Sequence, residues 1–118
     1  MLYGVLPQFR ILVNMKMLLK ATSLELTPAI KTFIEDKIGS LEKFLKRFEA
    51  LGEIKCEVEI ARSTKHHRKG NVFHAEVNLY LPKKTLRAEF EGTDVRSAID
   101  KVKDKLKTEI GKYKETVV

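Results

Sequence analysis

Apolar and polar residues alternate in four stretches of the chain, residues 17–22, 53–62, 72–81 and 86–91. Side chains of a strand point to opposite faces in turn, so alternation of this length predicts a strand with one buried face. In the third stretch, for example, Ala75 and Val77 would point inward while Glu76 would point outward. Strands with one wet face are typical of antiparallel sheets. The sequence therefore predicts four strands in a mainly antiparallel sheet.

Two further stretches carry apolar residues at helical spacing. The first follows Thr27 and Pro28, a capping residue and a proline suited to the first helical position, and continues to about Phe48. The second follows Thr93, which we take as its cap, and continues to about Lys114. The predicted order is β-α-β-β-β-α. An α+β fold with two layers follows, in which both amphipathic helices pack on one face of the four-stranded sheet.

The 118 residues suit one domain. The hydrophobic pattern alone sets the domain boundaries: the regular pattern occupies residues 17–114, and residues 115–118 are a short tail. Residues 1–16 look different and are predicted to be an N-terminal extension, either disordered or an upstream over-reading of the start codon, although residues 9–13 could form a short strand. We expect this extension to be dispensable.

Charge is concentrated in one loop and one helix. The chain has 23 Lys and Arg against 16 Asp and Glu, a net charge of +7, and residues 62–70 hold four basic residues with no acidic one. At 100° per residue, basic residues also line both flanks of the second helix's apolar stripe. Lys37 projects into the apolar stripe of the first helix. It either extends to solvent along its own stem or is a functional lysine held beside the second helix. Rows of cations suit RNA phosphates, so the candidate RNA-binding residues are Lys37, Arg62, Lys65, His66, His67, Arg68, Lys69, Arg87, Arg96, Lys103, Lys105, Lys107, Lys112 and Lys114.

Other kinds of chemistry find little support in the sequence. Cys56 is the single cysteine, so an intrachain disulfide is impossible, and His66–His67 has no third ligand at a suitable spacing for a metal. The open sheet face would carry several glutamates and one aromatic residue, Tyr80, which disfavours RNA binding by base stacking on the sheet. We therefore predict a non-enzymatic, cytoplasmic protein without a catalytic site, cofactor, metal, small-molecule substrate or membrane segment.

Three ordered stretches are similar to a known family. Residues 17–45, MLLKATSLELTPAIKTFIEDKIGSLEKFL, resemble the opening of the ribosome hibernation-promoting factor and ribosome-associated inhibitor family, in its short, sigma-factor modulation protein form. Residues 65–92, KHHRKGNVFHAEVNLYLPKKTLRAEFEG, resemble its middle strands, and residues 93–114, TDVRSAIDKVKDKLKTEIGKYK, resemble its last helix. The resemblance covers almost the whole regular domain. It implies the same β-α-β-β-β-α fold that the hydrophobic pattern predicts.

The resemblance also implies a function. Members of the family bind small-subunit rRNA in the channel for tRNA and mRNA, and they silence idle ribosomes under stress or in stationary phase. By position, Lys37, Lys105, Lys112 and Lys114 fall where the family's helices are usually basic. The family often has Asp-Met-Tyr where this chain has Asp94-Val95-Arg96. It also often has Arg-Gln in place of Thr108-Glu109, so Lys107 or Arg96 is expected to substitute in rRNA contacts.

The expected partners are thus the small ribosomal subunit and its rRNA. Long members of the family carry a second domain that pairs two ribosomes, and we expect no such domain in this chain. Two other functions stay open from the residues: a general double-stranded-RNA-binding module, and a protein-interaction domain that uses the acidic sheet face. The first is disfavoured because residues 93–100 hold one Arg and two Asp where such modules need a lysine cluster.

Overall fold

The computed structural model describes residues 8–12, 15–63 and 72–116. Its elements are β1 (Gln8–Leu12), β2 (Met15–Thr22), α1 (Pro28–Gly39), a 3₁₀ helix (Ser40–Phe44), α2 (Lys46–Glu49), β3 (Ile54–Ser63), β4 (Val72–Leu81), β5 (Lys84–Gly92) and α3 (Val95–Thr116). The predicted α+β class and the four predicted strands are confirmed as β2 to β5. In this part of the chain, no helix combines the length and the hydropathy needed to cross a membrane.

The strands form one sheet in the order β1-β2-β3-β4-β5. Strands β2 and β3 are parallel, and the other neighbouring pairs are antiparallel. The parallel pair requires a crossover, and α1 supplies it. Because β2, β3 and β5 run in the same direction, the helices that follow β2 and β5 begin at the same end of the sheet. Helices α1 and α3 therefore lie side by side on one face.

A single hydrophobic core lies between the sheet and the helices. Alternate side chains of β2 to β5 enter it, including Ile54, Val77 and Leu79, each fully or almost fully buried. From the other layer, Ile34 and Ile38 of α1 meet Ile99, Val102, Leu106 and Ile110 of α3. The second face of the sheet is open, as the alternation predicts, and it carries the charged residues.

The sheet has one strand beyond the four predicted. Strand β1 lies within the predicted N-terminal extension and pairs antiparallel with β2, from Gln8 opposite Leu19 to Leu12 opposite Met15. Strand β2 also begins two residues earlier than the alternation indicated, and Met15 is 1% exposed in the core. Residues 1–7 and 13–14 of the extension lie outside the described residues.

The first predicted helix is interrupted. Helix α1 ends at Gly39, a 3₁₀ turn follows, and Leu45 (φ −110°, ψ 5°) separates it from α2. Glycine lowers the helix propensity at this point, and the Ser40 hydroxyl donates to the Lys37 carbonyl at 2.6 Å, a local bond that competes with the regular ladder. The tighter 3₁₀ turn allows Leu41 and Leu45 to reach the core together.

The second predicted helix begins one residue later than expected. The Asp94 carboxylate, rather than the Thr93 hydroxyl, accepts a hydrogen bond from the backbone N–H of Ser97 at 2.8 Å. Asp94 is therefore the capping residue of α3, and the prediction of Thr93 as the cap was wrong. The carboxylate also places a negative charge at the positive end of the helix dipole.

Candidate nucleic-acid interface

Two phenylalanine rings lie along the seam where α1 and the 3₁₀ helix meet α3. Phe33 belongs to α1 and Phe44 to the 3₁₀ helix, and both are partly buried against the core. On α3, Arg96 faces the Phe33 ring, and Lys107 and Lys114 face the Phe44 ring. Helical spacing places Lys103 on the same flank of α3. We call this region the seam and define its cations as Lys37, Lys43, Arg96, Lys103, Lys107 and Lys114.

Three lysines surround the Phe44 ring. The Nζ atoms of Lys107, Lys43 and Lys114 lie 5.1, 5.3 and 5.8 Å from the ring centroid. An ammonium group over an aromatic face is attracted by the ring's negative quadrupole at such distances. Among the described residues, none of these three ammonium groups forms an ion pair with a carboxylate, so this end of the seam keeps its positive charge.

Two cations share the Phe33 ring at the other end of the seam. The Arg96 Cζ lies 5.4 Å and the Lys37 Nζ 5.6 Å from the centroid. Lys37 also forms an ion pair with Asp100 of α3 at 3.4 Å. The lysine that is anomalous in the sequence pattern therefore reaches across to α3. Between the two rings, Lys103 pairs with its neighbour Asp104 at 3.6 Å.

The opposite flank of α3 faces strand β5 instead. The Lys105 ammonium donates to the backbone carbonyl of Glu89 at 2.8 Å and lies 5.3 Å from the Phe90 ring. Lys112 pairs with Glu109 at 3.5 Å. Both lysines were predicted RNA-binding residues, and the structure separates them from the seam by the width of the helix.

Arg87 lies on the open face of the sheet, and it also lines a cavity at the edge of β5 together with Lys105 of α3. Its guanidinium contacts Glu76 at 3.2 Å and Glu89 at 3.3 Å. The structure therefore places Arg87 near Lys105 but apart from the seam cations. Its charge is compensated by carboxylates of its own face.

The basic loop can be located only by its ends. Arg62 is exposed near the end of β3, opposite Phe73 of β4. Alternation places it on the helix side of the sheet, near the end where α1 and α3 begin. The other loop residues among the candidates lie outside the described residues; they are Lys65, His66, His67, Arg68 and Lys69.

The open face carries an acidic row. Glu59, Glu76 and Glu89 are direct neighbours in register on β3, β4 and β5. Like charges in directly opposed positions destabilise a sheet. Lys20 stands at one end of the row, opposite Glu59, and Arg87 contacts two of the three carboxylates. This face has the opposite charge character to the seam.

Polar contacts organise the rest of the open face. The Tyr80 hydroxyl donates to Glu57 at 2.7 Å, and this hydrogen bond raises the pKa of the Tyr80 phenol. His74 Nε2 lies 3.3 Å from Glu89 and 3.8 Å from Glu76. These three side chains are the described group whose ligand atoms are close enough to share a metal ion. Arg87 contacts both carboxylates of that group, which lowers its attraction for a cation.

Sequence reasoning missed Lys43 and the two rings. Phe33 and Phe44 belong to the apolar stripe of the first predicted helix, and that position explained them without a further role. The available signal was the position of Lys43 directly before Phe44. Its partners on α3 are more than sixty positions away in the sequence, so their proximity depends on the packing of the two helices.

A comparison with protein families gives one match over most of the chain. Residues 19–118 match the model of the family described as sigma 54 modulation protein / S30EA ribosomal protein. The chain belongs to this family. The resemblance noted from the sequence alone is thereby confirmed.

Curated relatives and solved structures agree with this assignment. The chain is 36% identical over 96 residues to a ribosome hibernation promotion factor of Lactococcus lactis subsp. cremoris (strain MG1363), an alignment that covers 81% of this chain and 48% of the relative. It is 32% identical over 96 residues to the factor of the same name from Staphylococcus aureus (strain COL), covering 80% and 46%. The chain thus spans about half the length of these curated relatives.

The fold matches two solved structures of similar size. The N-terminal domain of Thermus thermophilus Protein Y aligns with a TM-score of 0.64 and 28% identity, covering 80% of this chain and 93% of that one. A ribosomal subunit interface protein from Coxiella burnetii aligns with the same TM-score at 20% identity, covering 82% and 97%. The second likeness concerns the fold alone. The two-layer arrangement of this chain therefore recurs in both structures.

Proposed function

We propose that this chain is a non-enzymatic ribosome hibernation factor that binds small-subunit rRNA and keeps idle ribosomes silent. The observation that carries the proposal is the gathering of six cations along the seam, on the face opposite the acidic row. Membership of the S30EA family and the names of its curated relatives support the same function. The site proposed for it is the channel for tRNA and mRNA.

The proposed mechanism is occlusion by a rigid wedge. The seam cations replace counterions on rRNA phosphates, a gain that does not depend on base sequence. Shape then selects the site, because the cations stand on three helical elements (α1, the 3₁₀ helix and α3) that pack on one core. A domain held in this way excludes tRNA and mRNA without any covalent chemistry. The basic loop at residues 62–70 is proposed to add further phosphate contacts.

The test is binding to purified small subunits in a sucrose gradient. The double variant Lys107→Gln/Lys114→Gln removes two seam charges, and Lys20→Gln/Lys55→Gln removes two charges from the open face as the matched control. We expect the seam variant to leave the ribosomal fractions at a lower salt concentration than the wild type, and the control variant to remain with them. A third variant, Lys105→Gln/Lys112→Gln, reports on the other flank of α3.

Two results would contradict the proposal. Wild-type protein that stays at the top of the gradient at low salt does not bind the subunit. Equal losses for the seam variant and the open-face control would mean that total charge, and not the seam, determines binding. Plain duplex RNA that competes as well as ribosomes would instead indicate a double-stranded-RNA-binding module.

The acidic row favours a second candidate function, a protein-interaction domain. Three carboxylates opposed in register form a suitable surface for a basic protein partner, and they disfavour RNA on that face. A pull-down after nuclease treatment separates the two functions. Retention of a partner without RNA, lost in Glu59→Gln/Glu76→Gln, would favour protein interaction, whereas loss of all partners would argue against it.

A further inference from the structure

The lysines around Phe44 come from two separate elements. Lys43 belongs to the 3₁₀ helix, whereas Lys107 and Lys114 lie two turns apart on α3. Like charges repel, so three ammonium groups on flexible stems spread apart unless a common group attracts them. The one aromatic ring that all three contact is Phe44, at 5.1 to 5.8 Å.

The ring is held in place by the core. Phe44 is partly buried, and its neighbours Leu41, Leu45 and Phe48 are 0–2% exposed. Phe48 stacks on Tyr113 of α3 with centroids 5.2 Å apart, which fixes the end of α3 that carries Lys114. The position of the ring is therefore set before any ligand arrives, and preorganised charges bind a ligand with less loss of side-chain freedom.

This cluster differs from four other candidate cations in how its charge is compensated, whereas Arg96 likewise contacts a ring and forms no ion pair among the described residues. Lys37, Lys103 and Lys112 each pair with a carboxylate at 3.4 to 3.6 Å. Lys105 donates to a backbone carbonyl. Within the described part of the chain, the ammonium groups around Phe44 have only the ring as a partner. They are thus available to a phosphate without first breaking an ion pair.

We propose that Phe44 is a positioning residue, whose ring gathers Lys43, Lys107 and Lys114 into one binding point for a phosphodiester group of the RNA backbone. This inference rests on the proposed rRNA binding and identifies where along the seam the strongest phosphate contact lies. The Phe33 end is the weaker one, because Asp100 compensates Lys37. The ring acts through the lysines and does not itself need to touch the RNA.

The first experiment measures the cluster without any ribosome. Ring currents of Phe44 shift the NMR signals of methylene groups held close to it, so the ε-CH₂ signals of Lys43, Lys107 and Lys114 should be displaced from those of exposed lysines. In Phe44→Leu these displacements should disappear, and in Phe44→Tyr they should persist. Signals at ordinary positions in the wild type would overturn the inference, whatever the ribosome assay shows.

The second experiment measures affinity for the small subunit. Phe44→Leu keeps an apolar side chain but removes the aromatic face, and we expect about tenfold weaker binding with a salt slope smaller by about 0.7, one phosphate contact. Phe44→Tyr should bind within about twofold of the wild type because it retains a ring face. Phe90→Leu, whose ring contacts a lysine outside the seam, serves as the matched control and should bind as the wild type does. Thermal midpoints show which variants are folded.

A double-mutant cycle separates positioning from a general structural effect. Neutralising all three lysines in the Phe44→Leu background should weaken binding less than it does in the wild-type background, because the ring and lysines act as a unit. Additive losses of binding free energy would overturn the inference. So would a Phe44→Leu variant that binds the small subunit as tightly as the wild type does. Failure of the wild type to bind would instead count against the proposed function, and the NMR result would still decide whether the cluster exists.

Discussion

At the scale of single residues, Cys56 shows how far burial controls reactivity. Its thiol lies on the inward side of β3 at 1% exposure, and burial raises its pKa to about 12. Because the thiolate is the reactive form, the folded protein should react very slowly with a disulfide reagent at neutral pH. We expect one equivalent of reactive thiol to appear only when the protein unfolds in denaturant. The absorbance of the thiolate that the reagent releases measures this reaction. Rapid reaction in native buffer would show that β3 opens easily.

Tyr80 offers a second residue whose titration reports on the structure. Its hydrogen bond to Glu57 raises the pKa of the phenol, and the bond is intact at neutral pH. The contribution of this bond to the free energy of unfolding is lost as the pH rises through the raised pKa. In Glu57→Gln, the charged acceptor is absent and the pKa of Tyr80 should fall towards its ordinary value. Spectrophotometric titration, with Tyr80→Phe to identify the signal, measures the change. An unchanged titration would mean that the hydrogen bond does not persist in solution.

At the scale of elements, the start of α3 depends on one side chain. The Asp94 carboxylate accepts the Ser97 N–H, and replacing a capping residue with alanine typically costs about 1 kcal/mol. Asp94→Ala should therefore lower the free energy of unfolding by about 1 kcal/mol, measured by urea denaturation. Asp94→Asn should retain most of the stability, and Thr93→Ala is the matched control. A larger loss in Thr93→Ala would contradict the assignment of the cap.

The elements also show which predictions a sequence can support. Alternation predicted β2 to β5 because the side chains on one face of each strand must be buried, and burial selects residue type directly. The interruption after Gly39 was missed because Leu41 and Leu45 fit the helical stripe equally well; only the packing against the core selects the 3₁₀ turn. Likewise Asp94 and Thr93 are both good capping residues, and the final choice depends on the backbone that leaves β5.

The same distinction applies to the candidate site: features set by a single element were predicted, and contacts between elements were not. The 100° rule correctly assigned the basic residues to two flanks of α3, since the angle follows from one helix alone. The contacts of these flanks could not be predicted, because the Phe33 and Phe44 rings reach α3 only after two distant elements pack together. Arg87 is a further example. Its place on the open face was predicted, but its contacts with Glu76 and Glu89 depend on the strand register.

At the scale of the whole molecule, positive charge on the helix face opposes the acidic row on the sheet face. The three lysines around Phe44 count as one phosphate contact and the three other seam cations as one each, so four contacts at about 0.7 each give a log–log salt slope of magnitude about 2.8. Affinity for the subunit should therefore fall about 50-fold between about 0.05 and 0.2 M salt. Titration of labelled protein with small subunits at several salt concentrations measures the slope. A magnitude below about 1 would rule out phosphate contacts as the main source of affinity.

The parallel pairing of β2 with β3 has a consequence for how the chain folds. Strands β3, β4 and β5 are antiparallel neighbours, and the β4–β5 turn is short. Their contacts are therefore local, and we expect them to form early because closing short loops costs little entropy. Strand β2 pairs with β3 across the intervening helical segment, from Met15 opposite Ile54 onwards. Such long-range contacts form slowly. We therefore expect the carboxyl-terminal half to provide the folding nucleus, and β2, with β1 at its edge, to dock last.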